Sequence, residues 1–268
     1  MPASAPDPAG DIPAGLRRER MLTLIQQSDY MRVTDLGARF GISDVTVRSD
    51  LDALAARDEI QRIRGGAIPR NRPGEERPFE ETQGAFAAEK VAIGHTAAAQ
   101  VRSGEAILLD VGTTAAAVAR ALVARTELQD VVVFTNGLTT ALELEPAIPR
   151  ITVVVLGGTL RPLQHSLVDP LATLVLAQIK VSTVFLGCNG VDPVAGVTNV
   201  NLPEAEMKKA MLQVARRTVV LADGSKLGRV ELAHLCDVGK IDALVTGESA
   251  ESDVVAALEE HCAVQVCR

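Results

Sequence analysis

Apolar residues recur at helical spacing through the first part of the chain and, from Glu89 onward, gather into short runs alternating with helical stretches. Leu16 to Gln27 sets Met21, Leu24 and Ile25 on one face and predicts a first helix. Thr34 to Phe40, with Thr34 in N-cap position and Leu36 and Phe40 turned inward, predicts a short second one. Gly41 can take a positive φ and stop that helix, Ile42 plugs the corner, and Ser43 caps a third helix in which Val47, Leu51 and Leu54 face the core. Ile60 to Ile68 alternates around Gly65-Gly66 and predicts a small β wing. Further on, strands are predicted at Ile107 to Leu109, Val131 to Phe134, Ile151 to Leu156, Val184 to Leu186, Val219 to Leu221 and Leu244 to Val245. Helices are predicted at Ala115 to Val123, Leu138 to Leu144, Leu171 to Ile179, Pro203 to Arg216 and Asp253 to Glu260. This is the rhythm of a doubly wound, mainly parallel sheet with helices on both faces.

A chain of 268 residues, 47% hydrophobic, has room for one small and one larger domain. Residues 1–15, rich in Pro, Ala and Gly, predict a loose tail; residues 16–70 a winged helix-turn-helix domain; residues 71–79, which overlap the Pro/Gly-interrupted charged run Arg70 to Pro78, a linker; and residues 80–268 the α/β domain. The charge divides along the same line. Leu16 to Arg72 carries 11 Lys/Arg against 8 Asp/Glu, a local +3 within a total of −7, which leaves the remainder at −10. A basic head on an acidic body confines nucleic-acid contact to the head. With aromatic content of 2%, no Trp and one Tyr, stacking on single-stranded bases is disfavoured, and a helix in a duplex groove is the expected mode.

Facing Val47, Leu51 and Leu54 inward leaves Asp44, Thr46, Arg48 and Ser49 on or beside the outward face of the third helix. Arg can bridge two acceptors on guanine and Thr can meet polar edges or the thymine methyl. With the caps Thr34 and Ser43, and with Arg62 and Arg64 of the wing aimed at phosphate, they form the expected DNA-facing set. Asp50 and Asp52 would repel phosphate and are expected to cap or pair locally; Arg17, Arg18 and Arg20 either touch phosphate or line a solvated helix face. The plainer alternative for the whole segment is a small helical core element. The ordered succession of Thr cap, Gly corner, Ser cap, Arg-bearing helix and Arg wing speaks against it.

Leu16 to Pro69 resembles the N-terminal domain of the DeoR/GlpR family of bacterial sugar-responsive transcriptional regulators, in the run ISDVTVRSDLDAL followed by IQRIRGGA. Ser49 stands where that family commonly has a second Arg, Asp58 where it has Gly, and Arg64 where His precedes the paired Gly. The first of these departures means that an operator sequence does not carry over with the resemblance.

In a parallel sheet the ligand sits beyond the carboxyl ends of the strands. Polar and Gly residues collect there: Asp110 to Thr114, Thr135-Asn136-Gly137, Gly157-Gly158-Thr159, Asn189 to Asp192, and Asp223 to Lys226. Gly112-Thr113-Thr114 ahead of an Ala-rich helix suits an anion at a helix N-terminus, Lys208 and Lys226 could supply countercharge, and Asp110, Asn136 and Asp192 could accept hydrogen bonds from sugar hydroxyls. Singly, each loop reads equally well as a cap, a turn or a surface charge. Neither G-x-x-x-x-G-K-[ST] nor G-x-G-x-x-G occurs, which argues against a triphosphatase or dinucleotide enzyme and leaves a sugar phosphate as the expected ligand. Cys188, Cys236, Cys262 and Cys267 are scattered without metal-ligand or disulfide spacing, so no cofactor or metal is expected and a reducing cytoplasm fits. Runs such as Ile151 to Leu156 are too short to cross a bilayer.

Lys90 to about Thr246 is similar to the sugar-phosphate-sensing domain of the same family, whose fold resembles ribose-phosphate isomerases, through LLDVGTT, VVFTNGL, VVVLGGTLR, VFLGCNGVD, EAEMKKAM and VVLADGSKLG. The resemblance implies Asp110, Gly112, Thr113, Thr114, Thr135, Asn136, Lys208, Asp223 and Lys226 as effector contacts. Asp169-Pro170 departs from the family's Gly, and that loop need not follow the family's shape. What is expected is a repressor of a sugar operon, relieved by a phosphorylated intermediate and binding double-stranded operator DNA as a homodimer or homotetramer. The alternative is a sugar-phosphate isomerase with an appended DNA-binding domain, its proton shuttled by Glu204, Glu206, Asp110 or Asp192.

Overall fold

The computed structural model describes residues 12–268 apart from Gln27, Asp29, Asp58 and 70–75. Its residues pack as two units, Met1–Arg72 with Gly84–Phe86, and Pro73–Gln83 with Ala87–Arg268. Of the expected tail, residues 1–11 lie outside the described residues, as do Asp58 and the first part of the expected linker.

The smaller unit holds α1 (Ala14–Gln26), β1 (Met31–Arg32), α2 (Val33–Phe40), α3 (Asp44–Ala55), β2 (Ile60–Ile63) and β3 (Gly66–Pro69). Ala14 and Gly15, assigned above to the tail, already belong to α1. Met21, Ile25, Leu36, Val47, Leu51 and Leu54 close one core between the three helices. Gly41 takes the left-handed conformation at φ 61° and ends α2, while the Ser43 hydroxyl accepts from the Thr46 amide at 3.2 Å and starts α3. Gly37 lets the two helices cross closely, since a β-carbon there would stand 3.1 Å from the Ile42 carbonyl oxygen. β2 and β3 form an antiparallel hairpin around the Arg64-Gly65 turn, with β1 on the far side of β3. Gly65 has φ +81°, and a side chain on Gly66 would collide with the Met31 backbone.

The larger unit begins with α4 (Phe79–Gln83) and α5 (Ala87–Ala98), then β4 (Ala106–Leu109), α6 (Thr113–Ala124), β5 (Val131–Thr135), α7 (Leu138–Leu144) and β6 (Ile151–Val155). A hairpin of β7 (Thr159–Arg161) and β8 (Ser166–Val168) leads to α8 (Leu171–Leu176) and β9 (Val181–Gly187). There follow β10 (Gly190–Asp192), β11 (Gly196–Asn199), α9 (Leu202–Val214), β12 (Ala215–Ala222), β13 (Ala233–Cys236), β14 (Ala243–Gly247), α10 (Ser252–Glu259) and β15 (Ala263–Cys267). Seven strands make a parallel sheet in the order β15-β14-β12-β9-β4-β5-β6, and β10, β11 and β13 make a small antiparallel sheet. Leu108, Val184, Leu186, Val220 and Leu244 turn to the face covered by α8, α9 and α10. Ile107, Leu109, Phe185, Val219, Leu221 and Val245 turn to the face covered by α5, α6 and α7. Gly94 permits α5 and α6 to touch, a β-carbon there falling 2.7 Å from the Ala117 carbonyl. The order reverses between β4 and β9, and that opens a crevice beyond their carboxyl ends.

α1 is fastened to α3 by Asp50, which is 4% exposed and accepts from Arg17 Nε at 2.6 Å and Arg18 Nε at 3.0 Å. Asp50→Ala strands both guanidinium groups and should cost the smaller unit about 1–3 kcal/mol, measured as an earlier first transition when the full chain is unfolded in urea. A change within ~0.5 kcal/mol would mean that water already satisfies the two arginines.

Candidate functional site

On the smaller unit α3 presents Asp44, Val45, Arg48 and Ser49 exposed on one side, with Thr46 half-buried beside the Ser43 cap, hydroxyl to hydroxyl at 2.9 Å. Val45 is 74% exposed and was missing from the expected DNA-facing set. The signal was present, because the Val47-Leu51-Leu54 face leaves it outside, and an apolar side chain there suits a thymine methyl. Two expectations are corrected. Thr34 is not the cap of α2: the helix starts at Val33 with Arg32 in cap position and no side-chain cap, and Thr34 sits exposed in the first turn beside Asp35 at 3.4 Å. Arg62 does not project toward phosphate: its Nη1 donates to Asp52 Oδ1 at 2.5 Å and to the Arg48 carbonyl at 3.0 Å, so it braces the wing against α3. Arg64 stands exposed at the wing turn. Arg17 and Arg18 are held through Nε by Asp50, with side chains 17% and 27% exposed, so a solvated face does not describe them.

On the larger unit the crevice is built around one buried ion pair. Asp110, directly after β4, pairs through Oδ2 with Lys208 of α9, and the same oxygen accepts from the Gly187 amide at 2.9 Å while Lys208 donates to the Gly187 carbonyl at 2.9 Å. Asp110 and Lys208 are 0% and 4% exposed. Two residues on, Gly112 takes φ +107° with open space where a side chain would stand, and α6 begins there without any side-chain cap. Thr113 and Thr114, its first two residues, are half-buried. Beyond β5, Asn136 donates through Nδ2 to the Leu167 carbonyl at 3.2 Å. Asp110 Oδ1 and Asn136 Oδ1 are both buried without a hydrogen-bond partner. Beyond β12, Asp223 accepts from the Ser225 amide at 3.1 Å and from its hydroxyl at 2.5 Å, while Lys226 is half-buried.

Burial, joined by the nearby charge of Glu204, raises the Asp110 carboxyl above its ordinary value against the pull of Lys208. Burial also works against the Lys208 ammonium, yet Asp110 and Glu204 outweigh it and hold its pKa above the usual lysine range. Asp223 is disfavoured by burial but ends below the ordinary carboxylate value because Lys226, Lys90 and its hydrogen bonds to Ser225 prevail. Cys188, next to this group of charges, is pushed by burial up to about 12 and is no nucleophile.

Several expected roles therefore change. Lys208 is bound to Asp110 and is not a separate countercharge; the Thr135 hydroxyl, fully buried, accepts from the Gly137 amide at 3.1 Å; Asp192 accepts the Val194 and Ala195 amides at 2.9 and 2.8 Å as a turn cap. None of the carboxylates named for a proton shuttle is unengaged: Glu204 is held by Arg161 and by Ser166 Oγ at 2.6 Å, and Glu206 pairs with Lys209 at 2.9 Å. Arg161, Ser166 and Glu89 were not foreseen. Glu89 takes the Gly224 and Ser249 amides at 3.1 and 2.9 Å and ties together the loops that end β12 and β14. Among the described residues there is no cluster of three or more metal-ligating side chains, and no helix is long and apolar enough to cross a membrane.

Residues 17–72 match the family model of the DeoR-like helix-turn-helix domain, and residues 85–248 match that of the DeoR C terminal sensor domain. The chain is 32% identical over 244 residues to the uncharacterized HTH-type transcriptional regulator YulB of Bacillus subtilis, covering 91% of this chain and 93% of that one. It is 27% identical over 249 residues to the glycerol-3-phosphate regulon repressor of Escherichia coli K12, covering 91% and 95%. Among solved structures, ribose 5-phosphate isomerase A from Methanocaldococcus jannaschii aligns over 51% of this chain and 52% of its own at 22% identity and a TM-score of 0.38, too distant to carry chemistry across.

Lys208→Met would leave the Asp110 carboxylate buried without its cation and should destabilise the larger unit by about 3–5 kcal/mol. The double variant Asp110→Asn with Lys208→Met should recover most of that in denaturant titrations. Because the folded pKa of Lys208 lies above the unfolded value near 10.5, its contribution is complete below that pH and is lost as pH rises through the folded value. Wild type should accordingly lose stability in strong alkali more steeply than the double variant; parallel curves would show that folding leaves the Lys208 ammonium no more firmly protonated than in the unfolded chain.

Proposed function

The chain belongs to the DeoR family of transcriptional regulators, and from that membership we propose a repressor of a carbohydrate operon that leaves its operator when a sugar phosphate fills the crevice of the larger unit. It is a DNA-binding regulator and not an enzyme. The observation that carries the ligand class is the uncapped start of α6 at Gly112, with two buried, unpartnered acceptors beyond the neighbouring strand ends, Asp110 Oδ1 and Asn136 Oδ1. Free amides at a helix N-terminus attract an anion, and unpaired buried acceptors call for hydroxyl donors. A phosphorylated polyol or sugar carries both. The E. coli relative named for the glycerol-3-phosphate regulon is consistent with a small ligand of this kind. In this reading Gly112, Thr113 and Thr114 receive the phosphate with Lys226 as its countercharge, Asp110 and Asn136 orient the hydroxyls, and Lys208, Thr135 and Asp223 hold the loops in place.

Operator contact falls to Asp44, Val45, Thr46, Arg48 and Ser49 on α3, with Arg64 on backbone phosphate and with Thr34 and Ser43 at the ends of the corner. Duplex half-sites call for more than one head, so the working form is a homodimer or homotetramer in the cytoplasm. Leu171, Leu174 and Val175 of α8, 55%, 65% and 38% exposed, supply an apolar face suited to assembly.

Arg48→Ala should cost about 1–3 kcal/mol in binding the preferred duplex and relax its sequence preference. Equal loss on preferred and scrambled duplex would remove Arg48 from the base readers. Thr113→Asp places a carboxylate where the phosphate would sit; the variant should bind DNA as wild type does and ignore the sugar phosphate. Release of both proteins at the same ligand concentration in a gel-shift titration would move the phosphate elsewhere.

A further inference from the structure

The β7–β8 hairpin touches the crevice on one side and the segment entering the larger unit on the other. Toward the crevice, the Leu167 amide donates to the Asn136 carbonyl at 2.8 Å, the Leu138 amide to the His165 carbonyl at 2.9 Å, and Ser166 Oγ to Glu204 Oε1 at 2.6 Å. Toward the entering segment, Arg161 Nη2 pairs with Glu76 Oε2 at 2.5 Å, Gln164 Nε2 donates to the Arg77 carbonyl at 2.6 Å, and the His165 ring stacks on Phe79 with centroids 5.4 Å apart. Arg161 belongs to both sides, because its other nitrogen, Nη1, pairs with Glu204. Glu204 in turn is near enough to the central pair for its charge to be felt at Asp110 and Lys208. A few residues beyond this anchorage, Gly84–Phe86 count with the smaller unit, where Phe86, at a strained φ of 51°, stacks on Tyr30 with centroids 5.0 Å apart. Tyr30 lies against the Gly65-Gly66 wing turn.

We propose that Arg161 transmits occupancy of the crevice: bridging Glu76 and Glu204 it clasps the entering segment in the ligand-free protein, and a bound sugar phosphate draws it from Glu76 and frees that segment. The inference rests on the sugar-phosphate reading of the crevice. Its physical basis is the unequal mobility of two cations. Lys208 cannot leave Asp110 without stranding a fully buried carboxylate, whereas Arg161 is shared between two carboxylates, keeps Glu204 on leaving Glu76, and leaves behind a carboxylate that still reaches the surface, 11% exposed at the side chain. Arg suits the position because its planar fork holds two separate nitrogens in fixed geometry, Nη2 on Glu76 and Nη1 on Glu204, where a lysine would bring one point charge. Release of Glu76 would loosen the anchorage of residues 76–83, and through the chain the Phe86–Tyr30 stack behind the wing.

The test uses the full chain and the duplex that the wild type selects from random-sequence DNA. The probes are inorganic phosphate, glycerol 3-phosphate, ribose 5-phosphate, fructose 6-phosphate and glucose 6-phosphate. Glu76→Gln weakens the clasp without touching Glu204. It should lower ligand-free DNA affinity by about tenfold, within the usual range of coupling between sites, and the further loss caused by the active sugar phosphate should shrink to near onefold. Gln164→Ala should move both quantities in the same direction by less. In wild type, that sugar phosphate should speed amide hydrogen exchange across 76–83, and in Glu76→Gln exchange there should be fast from the start. Glu76→Gln with wild-type DNA affinity and an undiminished response to the same sugar phosphate would overturn the clasp and leave the ligand class standing. A wild type that binds DNA but answers none of the five probes would overturn the ligand class, and the clasp with it.

Discussion

The larger unit depends on the burial of Asp110 against Lys208. Removing both charges from water is costly, and their attraction is supported by the two backbone groups of Gly187, which bond to Asp110 Oδ2 and to the Lys208 ammonium. The pair ties α9 to the ends of β4 and β9, where the strand order reverses. An apolar pair of like volume could hold the helix equally well. It could not leave one buried carboxylate oxygen without a partner, as Asp110 Oδ1 is, and a buried acceptor of that kind calls for a donor.

The smaller unit manages charge differently. A helix meant to approach phosphate carries Asp50 and Asp52, which would oppose it if left open. Asp50 is buried under Arg17 and Arg18, and Asp52, itself exposed, pairs with Arg62. Each arginine cancels an acid on the reading helix and in the same contact fixes a neighbouring element, α1 or the wing. The local excess of positive charge is therefore smaller in effect than a count of residues implies, because three of its arginines are paired with these acids.

The sheet was legible because each central strand is a short apolar run with turn residues after it, and the period changes where helices intervene. The β7–β8 and β10–β11 hairpins were not, being strands of three or four residues in which polar and apolar side chains do not alternate cleanly. α5 was missed because its Ala-rich sequence has no sharp apolar stripe and packs through small residues such as Gly94. Thr34 was misread as a cap because a hydroxyl in the first turn of a helix looks the same in sequence as one just before it. Strand-end loops named the crevice residues, but Lys208 lies 98 positions from Asp110, and no periodicity states which carboxylate a distant lysine will choose. The same limit hid Arg161, whose partners lie 85 and 43 positions away.

These partner choices bear on how a binding protein becomes a switch. A ligand moves an equilibrium only by its difference in affinity for two arrangements, commonly ~1–3 kcal/mol, so the contact it reverses must be of that size. The Asp110–Lys208 pair is too strong to serve, since breaking such a pair costs about 3–5 kcal/mol and would demand most of a small ligand's binding energy. A surface pair such as Arg125–Glu127, whose carboxylate stands mostly in water, is too weak for its loss to be felt at a distance. Arg161 with Glu76, part-buried and sharing the arginine with Glu204, lies between these limits. The crevice thus combines a rigid cation that defines the site with an adjustable one beside it. A regulator needs both, because a wholly rigid site would bind without response and a wholly adjustable one would have no shape to recognise.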